Sequence, residues 1–293
     1  EWMILASENE YDEYYFAFHD VEEKGLTFDE NTVEVSVDGT KIASSLYKLK
    51  TSNTDKCTFE VVFADLKTID SVHAGSVITV DYKSTLNSNA VLGEKGNVNK
   101  AKLEYSNNPN DSQGGKGSTP WDNVIVFTYK VVINKVDGDN DNAPLSGAEF
   151  TLRKQLKDGS TKDIAVVKNT AGTKFTFSGL DDGDYVLTET TTPSGYNTIA
   201  PITFKVTAAH DIVWTTQKRD DVLTSLSGNK VEGEITLVAD KKEGSLTSDV
   251  VNKSGSTLPS TGGIGTTIFY VVGVILMLGA GVLLVTKKRM SAN

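Results

Sequence analysis

Hydrophobic positions along this chain recur at every second residue in short runs. Tyr14, Phe16 and Phe18 alternate with polar or small neighbours as far as Asp20. After Gly25-Leu26-Thr27-Phe28 the alternation resumes at Val33, Val35 and Val37 and is closed by Asp38-Gly39. This pattern reads as strand, turn, strand and hairpin, because residues two apart on an extended chain share a face and Asp-Gly suits a tight turn. Further strands are predicted at 59–63, 77–82 and 101–105, and residues 107–120, full of Asn, Gly and Ser, as a loop. One long strand is predicted over 124–136, linking two domains rigidly. Ile125, Phe127, Tyr129, Val131, Ile133 and Lys135 fall on one face, with Val126, Val132 and Val136 on the other. Beyond it, strands are predicted at 149–152, 164–167, 174–177, 184–189, 202–206 and 249–252. The runs are short, rich in Val, Thr, Tyr and Phe, and cut by Asp, Asn and Gly. They predict an all-β chain of tandem β-sandwich domains.

The hydrophobic pattern changes once, near the C-terminus. An apolar run over 264–286 is long enough to cross a bilayer as a helix. The basic tail at 287–293, opening with Lys287-Lys288-Arg289, places that end on the cytoplasmic side. Just before the run stand Leu258, Pro259, Ser260, Thr261 and Gly262, preceded by a Ser-rich spacer. Pro259 fixes its own φ and biases Leu258 toward an extended form, as suits a peptide lying in an enzyme groove. This order resembles the cell-wall sorting signal of Gram-positive surface proteins, the substrate of sortases. The resemblance implies attack by a sortase cysteine on the carbonyl of Thr261, release of Gly262 onward, and transfer of the acyl group to an amine of peptidoglycan or of a neighbouring subunit. Membrane contact through 264–286 is then transient, and the location is the cell wall at the extracellular surface.

Length and composition sharpen this picture. The 293 residues leave room for about two domains of ordinary size ahead of the spacer. The single Cys57 cannot make an internal disulfide, so an exported protein of this kind needs another brace. A formal charge of −10 argues against nucleic-acid binding, which draws mostly on Lys and Arg. No cationic and apolar leader opens the chain at Glu1, so the expectation is a C-terminal portion of a longer polypeptide.

Residues Ile133-Asn134-Lys135-Val136-Asp137, 144–150, 185–190 with Pro193, Gly195 and Tyr196, and Asp249-Val250-Val251-Asn252 resemble the collagen-adhesin B-type, or pilin C-terminal, immunoglobulin-like module over about 128–254, which implies tandem immunoglobulin-like β-sandwich domains. The segment from Tyr185 to Tyr196 is similar to that family's E-box, with Thr192 where Ala is common. The resemblance implies a spontaneous isopeptide bond between Lys135 and Asn252, assisted by Glu189. Period two supports it independently. It puts Lys135 with Val131 and Ile133, Glu189 with Tyr185 and Leu187, and Asn252 with Val250, so all three face the core. Burial would favour a neutral amine and a protonated acid, and the amine could then attack the Asn252 amide with loss of ammonia, Glu189 bonding to the carbonyl oxygen and shuttling protons.

Phe18-His19-Asp20, Gly25 to Phe28, and Leu103 to Pro109 resemble the pilin D2-type module. There the resemblance implies Asp20 as the proton-shuttling acid and Asn107 as the acceptor, sharing its face with Leu103 and Tyr105, with Asn108 the next choice. The matching Lys is expected upstream of the chain.

Other candidates are weaker. Asp137, Asp139 and Asp141 have calcium-loop spacing, but Asn142 and Ala148 replace the required Gly and Glu. His19, His73 and His210 lack metal spacing, so no metal and no cofactor is expected. No nucleophile-elbow motif appears, and the chain is read as a substrate, not an enzyme. Domains are therefore expected at 1–127 (D2-type, N-terminally incomplete) and 128–254, followed by spacer and sorting motif at 255–263. Together these features resemble a sortase-anchored Gram-positive pilin, most simply a backbone subunit supporting adhesion. The alternative is a monomeric wall-anchored adhesin whose visible domains are a stalk. A surface enzyme with its catalytic domain elsewhere is a third reading, and the host ligand is left open.

Overall fold

The computed structural model describes residues 2–3, 13–51, 55–108, 115–211 and 222–255. The sorting motif at 258–262, the apolar run and the basic tail lie outside them. Among the described residues no helix is long and apolar enough to cross a membrane.

The first ten strands are β1 (Trp2–Met3), β2 (Phe16–Glu22), β3 (Leu26–Val37), β4 (Thr40–Lys41), β5 (Lys48–Lys50), β6 (Phe59–Phe63), β7 (Val77–Leu86), β8 (Asn97–Ser106), β9 (Lys116–Ser118) and β10 (Asp122–Val126). They make one sheet in the order β1-β7-β3-β4 and another in the order β10-β8-β2-β6-β5, with β9 also on β8. Between the sheets lie Phe16, Phe18, Phe59, Phe63 and Leu103 from one layer and Val35, Val37 and Ile78 from the other. The two runs expected around 26 and 33–37 are one twelve-residue strand, with a register irregularity against β7 between Asp29 and Glu34.

The second group comprises β11 (Tyr129–Asp137), β12 (Ala143–Pro144), β13 (Glu149–Gln155), β14 (Thr161–Ile164), β15 (Val166–Lys168), β16 (Lys174–Leu180), β17 (Gly183–Thr191), β18 (Ile202–His210), β19 (Leu223–Glu232), β20 (Val238–Asp240) and β21 (Ser245–Asn252). One sheet runs β15-β16-β11-β21-β20, with β12 also on β11, and the other runs β14-β13-β17-β18-β19. Their facing side chains, among them Ile133, Phe150, Leu152, Phe175, Phe177, Tyr185, Leu187 and Phe204, form a second core. The strand expected at 164–167 is split, since β14 joins one sheet and β15 the other. Most pairings are antiparallel, but β11 and β21 run parallel, with Lys135 opposite Val250 and Asp137 opposite Asn252.

The single long strand expected over 124–136 is also corrected. The chain leaves the first sandwich at Val126 and enters the second at Tyr129, and Phe127 and Thr128 make the crossing. Local bonds define the break: the Thr128 hydroxyl donates to the Leu180 carbonyl (3.0 Å), and the Thr128 carbonyl accepts from Gly93 N–H (3.1 Å). Glu94 N–H donates to the Lys241 carbonyl (3.2 Å), so the turn at 93–95 in the first sandwich is pinned to the 241–244 turn of the second. Gly93 (φ 77°) and Gly244 (φ 58°) meet there with almost no gap. A Cβ on Gly93 would lie 2.5 Å from Gly244 N, and one on Gly244 would lie 2.3 Å from Gly93 N. Both left-handed conformation and backbone contact demand glycine. Gly93→Ala is expected to cost about 1–3 kcal/mol through overpacking. Calorimetry of the full chain should then show the two sandwiches melting more independently, with faster proteolysis near 127–128.

Candidate functional site

In the second sandwich three polar side chains penetrate an apolar core. Lys135 is 0% exposed, Asn252 1% and Glu189 5%. Alternation puts them there, because Lys135 follows Val131 and Ile133 on the inward face of β11, Glu189 follows Tyr185 and Leu187 on β17, and Asn252 follows Val250 on β21. Parallel pairing of β11 with β21 brings the lysine and the asparagine within one diagonal of each other, and β17 covers them from the opposing sheet.

The Lys135 ammonium donates to the carbonyls of Val250 (2.9 Å) and Val136 (3.2 Å). Burial pushes its pKa down from 10.5 to about 8, against the opposing pull of Glu189 and Asp137. A larger share of the amine is therefore neutral near neutral pH than for a free lysine. Asn252 Nδ2 donates to Glu189 Oε1 (2.9 Å), and Asn252 Oδ1 is buried without a hydrogen-bond partner. The carboxylate thus meets the amide at its nitrogen, the leaving group, not at the carbonyl oxygen expected from sequence. Glu189 Oε2 accepts from Ile199 N–H (3.1 Å) and from the Thr192 hydroxyl (3.2 Å), which also bonds Thr198 at 2.6 Å. Thr192 and Ile199 orient the acid. Sequence reasoning noted Thr192 only as a departure from the usual Ala and missed Ile199, whose main-chain contribution leaves no side-chain signal.

This geometry is suited to one reaction. A neutral Lys135 amine adding to the Asn252 amide carbon would form an amide and expel ammonia, with Glu189 placed to carry the proton from the incoming nitrogen to the outgoing one. The fold supplies the encounter, since both partners are held by adjacent strands.

The loop after β11 closes one end of this arrangement. Asp137 accepts from the Tyr196 hydroxyl (2.7 Å) and from Asp139 N–H (2.9 Å), and Asp139 accepts from Ser254 N–H and hydroxyl (2.5 and 2.6 Å). Two carboxylates of the calcium-like spacing are thereby occupied, Asp139 in latching Ser254 just past β21 and Asp137 in holding Tyr196 and its own loop.

In the first sandwich the pairing of Asp20 with Asn107 is corrected. Asp20 is 0% exposed and sits opposite Ala101, whereas β8 ends at Ser106 and Asn107 is exposed, its N–H turned to the Gly115 carbonyl. Six residues of strand separate Ala101 from Asn107, roughly 20 Å. Asn108 is exposed as well. Instead Asp20 Oδ2 accepts from the Tyr82 hydroxyl (2.8 Å), which itself accepts from Asn99 Nδ2 (2.5 Å). Asp20 Oδ1 and Asn99 Oδ1 are buried without partners. Burial raises the Asp20 pKa to about 7, partly offset by the Tyr82 and Asn99 hydrogen bonds. Asn99 was missed because Asn97-Val98-Asn99 looks like loop; its register on the core face with Ala101 and Leu103 was the available signal.

Comparisons with known proteins match three separate segments of the chain. Residues 4–109 match the Gram-positive pilin backbone subunit 2, Cna-B-like domain; residues 129–220 match the SpaA prealbumin-like fold domain; residues 250–291 match the LPXTG cell wall anchor motif. The chain is 28% identical over 264 residues to the trypsin-resistant surface T6 protein of Streptococcus pyogenes serotype M6, covering 72% of this chain and 48% of that protein. It therefore spans about half the length of that curated relative. Among solved structures, the T6 backbone pilin of serotype M6 S. pyogenes superposes with a TM-score of 0.52 at 21% identity, over 84% of this chain and 62% of that one. The full-length major pilin SpaD of Corynebacterium diphtheriae superposes with a TM-score of 0.53 at 22% identity, over 84% and 58%. The structural likeness carries the fold, and the matched segments are those of a Cna-B-like domain of Gram-positive pilin backbone subunits, a SpaA prealbumin-like fold domain and an LPXTG cell wall anchor motif.

Proposed function

We propose that the chain is the wall-proximal part of a pilus backbone subunit, joined through Thr261 by a sortase to a neighbouring subunit or to peptidoglycan, and locked internally by a Lys135–Asn252 bond that Glu189 assists. The observation that carries this reading is the buried meeting of Lys135, Glu189 and Asn252 next to an anchor motif. A fibre under tension needs links that do not depend on reversible unfolding, and an amide between the first and last strands of a module bypasses the strands between them.

In this reading residues 1–127 form a D2-type module and 128–254 a B-type module, both immunoglobulin-like. Residues 255–263 are spacer and sorting motif, 264–286 cross the membrane as a helix until sortase acts, and 287–293 remain cytoplasmic. The first module is left without an assigned cross-link, since Asp20 and Asn107 stand apart. Its buried acid, Asp20, is available to a lysine from outside the described residues.

Thr261→Ala is expected to abolish the boiling-resistant ladder of wall-extracted polymers seen on denaturing gels with the parent protein. A single wall-linked band from the parent would transfer support to the stalk of a monomeric adhesin.

A further inference from the structure

We propose that the first sandwich holds a divalent transition metal of the zinc type between His19, Asp55, Cys57 and Glu60. His19 on β2 and Glu60 on β6 are directly paired, on the face of the sheet that points away from the aromatic core. The segment leading into β6 folds over them and delivers Asp55 and Cys57, so residues from two strands and a loop converge.

The ligand atoms converge closely. His19 Nδ1 lies 3.1 Å from Glu60 Oε1, 3.5 Å from Asp55 Oδ2 and 3.6 Å from Cys57 Sγ, and Sγ lies 3.2 Å from Asp55 Oδ2. One ligand atom from each of the four residues falls within 4.8 Å of every other. Zinc bound at about 2.0–2.3 Å by four tetrahedral ligands separates neighbouring donors by about 3.3–3.8 Å. The four separations of 3.1–3.6 Å are already near the required spacing, and the remaining pairs, within 4.8 Å, would have to close by up to about 1 Å. One imidazole, one thiol and two carboxylates also form a donor set that calcium and magnesium do not favour, because they prefer oxygen alone.

The surroundings suit a metal as well. His19 is 5% exposed, and its Nε2 has no hydrogen-bond partner but lies 4.0 Å from Glu104 Oε2. With Nδ1 on a metal the proton must sit on Nε2, facing that carboxylate, which is the outer arrangement metal-bound histidines normally use. Lys50 Nζ stands 3.2 Å from the second oxygen of Glu60, and Asp55 Oδ1 accepts from Cys57 N–H (3.1 Å), so both carboxylates are held in orientation. Asp55 remains partly exposed and leaves a path for entry. Binding would replace the thiol proton of Cys57 by the metal and release that proton to solvent, with no redox change. A single cysteine would then brace this module without a disulfide.

Cobalt(II) added to chelator-treated full chain reports directly on this site. The expected result is one equivalent bound, with a thiolate-to-cobalt charge-transfer band and the strong visible absorption of a tetrahedral ion, both displaced by zinc. One equivalent of zinc should also raise the melting temperature of the first sandwich. Cys57→Ser should remove the charge-transfer band, and the exposed Asp55→Asn should weaken binding while the chain stays folded. The weak spectrum of aqueous cobalt, or binding unchanged in Cys57→Ser, would overturn the proposal and leave the cluster as a hydrogen-bonded network only.

Discussion

Purified full chain is expected to weigh less than its translated formula by the mass of one ammonia, and Glu189→Gln to restore the full mass. Glutamine keeps the volume of Glu189 and can still contact Asn252, but it cannot take a proton from the Lys135 amine and give it to the departing nitrogen. The bond should therefore fail while the fold persists. Its loss should also be large in free energy. In the unfolded chain a link between Lys135 and Asn252 closes a loop on the order of 100 residues, worth about 4.7 kcal/mol in a chain-entropy treatment. At about 4 °C per kcal/mol, melting of the second sandwich should fall by roughly 15–20 °C in Glu189→Gln and at least as far in Lys135→Ala. Lys135→Ala adds a cavity and removes a charge that interacts with Glu189, so it separates less cleanly than the isostere. A parent protein with the bare translated mass would sink this mechanism, whatever the variants do.

Legibility in the sequence followed how strictly the alternation was kept. Lys135, Glu189 and Asn252 could be placed on the core face because each continues an unbroken period-two run of apolar residues, and the structure brings the three together. β19 and β20 escaped notice. Leu223-Thr224-Ser225-Leu226-Ser227-Gly228 spaces its buried leucines by three, and Val238 on β20 is exposed. Continuous alternation also misled where the chain changes sheets: Ile125 through Lys135 reads as one strand, but periodicity carries no information about which sheet a residue joins. Asn107 failed for a related reason, because extrapolating the face of Leu103 and Tyr105 assumes that β8 continues past Ser106. The cluster around His19 was invisible along the chain, since strand pairing, not sequence spacing, assembles it.

The first sandwich is expected to lose stability as pH rises from about 4 to about 7, and Asp20→Asn to remove most of that loss. Asp20 is enclosed by Phe59 and Tyr82, whose rings meet edge to face at 4.8 Å, and Phe28 stacks on Phe59 at 4.1 Å. Its carboxyl therefore titrates near 7 when folded, against about 3.9 in an unfolded chain. Across that window the folded state binds the proton and the unfolded state does not, so the slope of stability with pH is negative. Three pH units at 1.36 kcal/mol each make the difference about 4 kcal/mol, fully expressed above pH 7. Glu22, whose pKa burial also raises, adds a smaller effect of the same sign. Asparagine at position 20 can still accept from the Tyr82 hydroxyl but has no charge to desolvate, so the variant should be the more stable protein at pH 8 and nearly equal to the parent at pH 4. Hydrogen exchange at Phe18 and Leu103, measured in the full chain with chelator present, reads this sandwich separately from its neighbour. Equal pH dependence in parent and variant would mean that Asp20 stays ionised in the fold, and a buried acid ready to shuttle protons would then be absent from the first module.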